Sequence, residues 1–272
     1  MSARRWWPFL ALALLVGASA FPFYWAIVAS LTPEARLFQD PSLFPTHIVT
    51  DHYRALFTER NFWLPVRNSL IVAGTTTAFC VSIGALCAYA LARLEFRGKA
   101  ALLGFVLAVG MFPQISVVSP LYLLLRELGL INTFPGLVLP YLTFAMPLTV
   151  WLLVGFFRQL PAELEEAAMV DGAGRLRAFW EVIVPLAVPG IATTAILTFV
   201  YSWNEFLFAL SFTLGPERQT VPVAVALFRG QYQVPWGQIL AAAVVATAPV
   251  TLLVLAFQRR IVQGLTAGAV KG

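Results

Sequence analysis

Long apolar runs separated by polar intervals set the layout of this chain. Residues 6–31, 68–92, 100–125, 136–157, 186–210 and 237–257 are each long and apolar enough to cross about 30 Å of hydrocarbon as a helix. The pattern therefore predicts six helical spans. The first run, Trp6 to Leu31, follows Arg4 and Arg5 and contains Ala18-Ser19-Ala20, which imitates a secretory cleavage site. Its apolar character continues for roughly ten residues beyond that point, whereas a signal h-region is only about 7–15 residues long. An uncleaved span is expected.

The third run is interrupted by Pro113, Gln114, Ser116 and Pro120, and the fourth by Pro140 and Pro147. Proline inside a span frees backbone carbonyls, which must then face protein or a wet cavity. Two polar loops are long. Residues 32–65 hold Pro33, Pro41 and Pro45, and Asp51, His52, Tyr53, Arg54, Leu56 and Phe57 predict a short amphipathic helix there. Residues 212–236 hold Pro216, Pro222, Gly230 and Pro235.

The interval 158–189 is too long to be a simple turn. It holds five of the thirteen acidic residues. Pro161 suits a first helical turn, and Glu163, Glu165 and Glu166 there favour the positive end of the macrodipole. Leu164, Ala167, Ala168 and Asp171 share a face at helical spacing. Gly172 stops that helix. A second helix is expected from Arg175 to Glu181, closed by Pro185. The product is a helix–turn–helix knob with a small face at Ala167, Ala168 and Gly172, which another backbone could approach.

Composition agrees with a membrane protein. Hydrophobic residues make up 60% and charged residues 11%, against about 25% charged in soluble domains. The net charge of +5 is scattered between the apolar runs, which fits the positive-inside rule better than nucleic-acid binding. Arg4, Arg5, Arg93, Arg97, Lys99, Arg158, Arg175, Arg177, Arg259, Arg260 and Lys271 fall on one side of the six-span scheme. The short loops decide the orientation, placing both termini and the knob in the cytoplasm.

Candidate chemistry is sparse. The only lysines are Lys99 and Lys271, and neither follows a GxxxxG stretch, so the chain has no Walker A loop. Cys80 and Cys87 fall on similar helix faces but about 10 Å apart in rise, too far to bridge, and are read as packing residues. His47 and His52 lack a ligand cluster, so no metal site is expected. Ser, His and Asp form no catalytic constellation, so no enzyme activity is expected. Glu205 is the one acid near a span interior, where a carboxylate costs about 2.5–3.5 kcal/mol and should face protein or water. Its neighbours Trp203 and Asn204 suit sugars, by stacking and by hydrogen bonding. Two readings stand: a residue of a translocation path, or an anchor at the start of the outer loop.

Glu166-Ala167-Ala168, three further residues, Gly172 and then Pro185 resemble the EAA loop of ABC importer permeases, with Val182 and Val184 where that pattern usually has Ile and Leu. Trp203-Asn204-Glu205-Phe206-Leu207 resembles a signature of sugar permeases, and the tail Gln258 to Gly272 is similar to the end of the smaller maltose/trehalose-type permease. The resemblance implies an all-α integral membrane protein of six transmembrane helices, with the type I ABC importer permease fold and both termini cytoplasmic. It implies a first helix and outer loop over 1–66, a five-helix core over 67–258 with its coupling loop at 158–189, and a cytoplasmic tail over 259–272.

The implied function is that of a permease subunit in the inner cell membrane. It would import a disaccharide of the maltose/trehalose kind, or a related carbohydrate, by ATP-driven alternating access. The implied partners are a second, larger permease, two ATPase subunits, an external sugar-binding protein and membrane lipid, with no nucleic acid. ATP and Mg would be held by the ATPases, leaving this chain without a cofactor. Glu165, Glu166, Ala167, Ala168, Asp171, Gly172 and Pro185 would couple to the ATPase. Trp203, Asn204 and Glu205 would line the path, although in this family the larger permease holds most sugar contacts. The rivals are a permease for another small polar solute, such as a glycerol phosphate derivative, a non-transporting scaffold, and an ion-coupled secondary transporter. The last usually needs paired intramembrane ionisable residues, and only Glu205 qualifies.

Overall fold

The computed structural model describes residues 6–39, 43–44, 47–228 and 234–269, with side chains as far as Gln258. Arg4, Arg5, Pro41, Pro45, Gly230, Lys271 and the side chains of Arg259 and Arg260 lie outside the described residues. The regular elements are helical: α1 (Trp7–Ser30), α2 (Asp51–Thr58), α3 (Trp63–Arg93), α4 (Lys99–Gly110), α5 (Gln114–Glu127), α6 (Phe134–Gln159), α7 (Ala162–Val170), α8 (Arg175–Ala178), α9 (Val184–Trp203), α10 (Leu207–Phe212), α11 (Val221–Ala226) and α12 (Trp236–Ala269). Among the described residues five helical stretches are long and apolar enough to cross a membrane, and α4 with α5 makes a sixth if the pair is one span.

Two expectations, on the fifth run and on Pro185, are corrected, while the interruption expected in the third run is a sharp one: α4 and α5 are bent by 86° where they meet. Pro113 biases Phe112 away from helical backbone and stands in extended geometry as the cap from which α5 restarts. The fifth run ends early, since α9 stops at Trp203 and α10 begins at Leu207. Glu205 therefore occupies a break and not a helix interior. Pro185 does not close the second knob helix. A π-helical turn, Phe179–Ile183, joins α8 to α9, with Pro185 in the first turn of α9. A wider turn relieves the clash between a proline ring and the preceding carbonyls, so the helix passes through.

The chain forms two compact units. The first comprises residues up to Trp63 and Ala224–Pro249. Most of α1 is exposed apolar surface, as suits a helix whose surroundings are lipid or another subunit. The amphipathic helix expected over 51–57 is α2, with Leu56 wholly buried. Glu34 caps α12 from a distance, accepting from Trp236 N at 2.9 Å and Gly237 N at 2.8 Å.

The second unit comprises Leu64–Val223 and the chain from Val250. Within it α6 packs on α4 and α9, and α10 packs on α5 and α6. Gly190 on α9 lets the helices approach closely, because a Cβ there would lie 2.5 Å from the Phe156 ring. Thr149 and Thr198 hydroxyls meet at 2.8 Å across the same contact. One core cluster gathers Tyr89, Leu153, Phe157, Phe179 and Ile183, and another Val72, Leu125, Leu137, Tyr141, Phe208 and Phe212. Asn68, buried at the start of α3, donates to Glu217 O and Gln219 O at 2.9 and 3.0 Å, pinning the segment before α11. Cys80 is buried and packs as expected, whereas Cys87 is exposed.

Candidate functional site

The knob is built from α7, α8 and the turn between them. Pro161 stands at the N-cap of α7. Its C-terminus is a Schellman closure: Gly172 N donates to Met169 O at 3.1 Å and Ala173 N to Ala168 O at 2.9 Å. Gly172 takes φ +89° to make this turn, a backbone region open to glycine without a Cβ penalty.

The two faces of α7 differ in kind. Inward, Glu165 is 7% exposed. Its carboxylate accepts from the Tyr89 hydroxyl. The Arg93 guanidinium lies 3.5 Å away, an electrostatic contact without hydrogen-bond geometry at Nε. Arg93 also donates to Leu160 O at 2.7 Å. Phe179 stacks obliquely against Tyr89 at 4.9 Å and edge-on to Phe157 at 6.2 Å. Outward, Glu166, Ala167, Met169, Asp171 and Gly172 are exposed, Val170 is 87% exposed, and Ala168 is half-buried. Leu176 on α8 is exposed as well.

The structure thus divides the residues expected to couple. Glu166, Ala167, Ala168, Asp171 and Gly172 share the knob. Glu165 points into the protein and anchors it, and Pro185 is carried away on α9. Tyr89 was missed by sequence reasoning, and Arg93 was read only as a topology marker. Their spacing of four, which puts both on one helix face, was the available signal.

The second candidate region surrounds the break between α9 and α10. Glu205 is 7% exposed. Its two oxygens accept from Phe208 N at 2.8 Å and Ala209 N at 3.1 Å. It is a cap for α10, satisfying amides that a helix start leaves unpaired. The buried Tyr141 hydroxyl stands beside it, short of strict hydrogen-bond geometry. Trp203 is 3% exposed and stacks on Phe199 at 5.7 Å, so its ring is packed within the protein. Asn204 is exposed. With Gly110, Gln114, Phe144, Tyr201 and Phe206 it lines a cavity of about 540 Å³. Gln114 was read from the sequence only as an interruption, and Tyr201 drew no reading at all. Among the described residues no cluster of His, Cys, Asp or Glu could hold a metal ion.

Residues 81–267 match the family described as "Binding-protein-dependent transport system inner membrane component". The chain is 48% identical to the trehalose transport system permease protein SugB of Mycobacterium tuberculosis, over the full length of both. It is 42% identical to the trehalose/maltose transport system permease protein MalG of Thermococcus litoralis, covering 93% of this chain and 91% of that one. Its fold matches a chain of a bacterial ABC transporter involved in the import of the acidic polysaccharide alginate, with TM-score 0.81 and 21% identity over 95% of this chain and 98% of that one. A secondary transporter is thereby set aside. With a protruding knob, apolar spanning helices and a family match over most of its length, the chain belongs to the binding-protein-dependent transport system inner membrane components: it is an ABC importer permease subunit, a membrane component and not a catalytic one.

Proposed function

We propose that this chain is the smaller of two permeases in an importer for a disaccharide of the trehalose or maltose kind. The whole-length likeness to a trehalose permease supports the substrate class. The observation that carries the mechanism is the two-faced knob. Its inner face is fixed to α3 through Glu165, Tyr89 and Arg93, while its outer face offers Ala167, Met169, Val170 and Leu176. A rigid mount with an exposed apolar ridge suits a part that is gripped and moved.

In this reading two ATPase subunits bind ATP and Mg and hold the knobs of this chain and of the larger permease. Closure of the ATPase pair swings the spans from inward- to outward-facing, and an external sugar-binding protein delivers its cargo. Residues 1–66 are peripheral, 67–258 form the transport core, and 259–272 form a cytoplasmic tail.

The test is reconstitution of the complete complex in liposomes with labelled trehalose and maltose. Expected is uptake that requires ATP and loaded binding protein. Uptake of a different solute class alone would overturn the substrate. A Val170→Asp variant is expected to lose ATPase subunits on purification. Full ATPase recovery with that variant would remove the knob from the interface.

A further inference from the structure

We infer that the cavity between the α4–α5 elbow and the α9–α10 break is a hydroxyl-reading subsite for a neutral carbohydrate, carried by this chain itself. It rests on the disaccharide reading above and deepens it, against the expectation that the larger permease holds most sugar contacts.

The hydrogen-bond inventory points to the ligand chemistry. Gln114 Nε2 donates to the Tyr201 hydroxyl at 2.9 Å. The Tyr201 oxygen is then an acceptor in that bond, and its own proton is left for another partner. Gln114 keeps Oε1 as an acceptor. Asn204 spends Nδ2 on Val200 O at 2.8 Å and likewise keeps Oδ1. One phenolic donor and two amide acceptors thus border one cavity. A sugar hydroxyl both donates and accepts, and a pair of them matches such a set. Phe144 and Phe206 line the same space and give the apolar faces on which sugar C–H groups rest.

Charge narrows the class further. Glu205 is the only carboxylic acid among the described lining residues, and these include no lysine or arginine. The lining offers no cationic side chain to balance a phosphate, and its one carboxylate is turned to the backbone of α10 through both oxygens. A neutral polyol fits where an anionic solute does not.

The backbone supports the assignment. Gln114 opens α5 directly after the elbow, and Tyr201 and Asn204 close α9 directly before its break. Interrupted backbone at membrane depth is tolerated where it is buried or lines a wet cavity, and both interruptions here border the same one. The volume of about 540 Å³ falls within the range of small-molecule sites, about 300–1,000 Å³.

The experiment uses the reconstituted complex and measures uptake of the transported disaccharide and of its monodeoxy analogues. Tyr201→Phe keeps the ring and removes only the hydroxyl. Asn204→Ala removes the acceptor. Each is expected to lower uptake efficiency roughly three- to tenfold, as for loss of one neutral hydrogen bond. Tyr201→Phe is also expected to lose discrimination against one deoxy analogue, a readout that altered packing alone would not move. If the wild type moves the disaccharide and both variants match it in efficiency and analogue selectivity, the subsite is wrong and the function stands. If the wild type moves no disaccharide, the function falls and the subsite with it. Should Asn204→Ala fail to assemble, Tyr201→Phe decides alone.

Discussion

The Tyr89 hydroxyl donates to the carboxylate of Glu165, 76 residues further along the chain, and this bond ties the knob helix α7 to the membrane helix α3. Arg93, one turn beyond Tyr89 on the same helix, adds its charge at 3.5 Å and also holds Leu160 O. The three side chains are largely shielded from water. A buried charge stripped of its partner is expensive, so the first prediction concerns stability. Glu165→Ala leaves the Arg93 charge shielded and unbalanced, a loss of about 3–5 kcal/mol. Tyr89→Phe removes one bond to a charged acceptor, about 1.5–3 kcal/mol. Thermal melting of the purified complex should rank Glu165→Ala below Tyr89→Phe and both below wild type. Melting of both variants at the wild-type temperature would mean that the contact does not hold the knob.

Glu205 gives the second prediction. Both of its oxygens accept from amides at the start of α10, whereas a glutamine side chain has one acceptor oxygen and an NH2 group that only donates, so it keeps one of the two bonds and loses the other. Glu205→Gln is expected to assemble less well than wild type and better than Glu205→Ala, with uptake per assembled complex close to wild type. Glu205→Ala removes the cap, a loss of about 0.5–2 kcal/mol, and should lower the yield of assembled complex. If Glu205→Gln abolishes uptake while assembly stays normal, the carboxylate's charge matters to transport and its capping role is secondary.

The third prediction concerns orientation. Val170, on the tip of the knob, is 87% exposed. In a background lacking Cys80 and Cys87, Val170→Cys should resist impermeant thiol reagents in intact cells and react in inside-out vesicles stripped of the ATPase subunits. Labelling of intact cells would reverse the proposed topology.

The number and placement of apolar helices were legible because hydrocarbon thickness sets a length that composition reveals directly. The knob was legible too, since Pro161 and Gly172 bound it with chemistry specific to helix starts and stops. The interruptions were harder. Pro113 and Pro185 carry the same local signal, yet one marks a bend of 86° and the other passes through a π-helical turn. Which outcome prevails depends on neighbours distant in sequence. Glu165 and Glu166 are indistinguishable in a one-dimensional reading, since both sit early in a helix with suitable charge. What separates them is whether Tyr89 and Arg93 stand opposite, a fact of tertiary packing. The Gln114–Tyr201 pair was hidden for the same reason, its members being 87 residues apart.

The last prediction concerns the turn of the knob. Gly172 is exposed, and a Cβ built on it would meet nothing within 4 Å. Crowding inside this chain is therefore not what demands glycine there. The backbone is: φ is +89°, and other L-residues pay roughly 1–2 kcal/mol for a left-handed conformation. Two variants separate handedness from bulk. Asparagine tolerates the left-handed region better than most residues, so Gly172→Asn should retain the Schellman closure. Gly172→Leu should strain or reopen it, tilt α8 relative to α7 and place a large side chain on the surface proposed to meet the ATPase. Both should insert normally, because the turn lies outside every apolar span. In the reconstituted complex, Gly172→Leu is expected to lower uptake strongly, with either poor ATPase recovery or hydrolysis no longer tied to sugar movement. Gly172→Asn is expected to lie closer to wild type. Glu166→Ala serves as a calibration. Glu166 is exposed, and an exposed ion pair with a partner subunit is worth only about 0–1 kcal/mol, so its defect should be the mildest. Wild-type uptake with wild-type coupling in Gly172→Leu would show that the shape of this turn does not matter, and the knob would no longer serve as the transmission element.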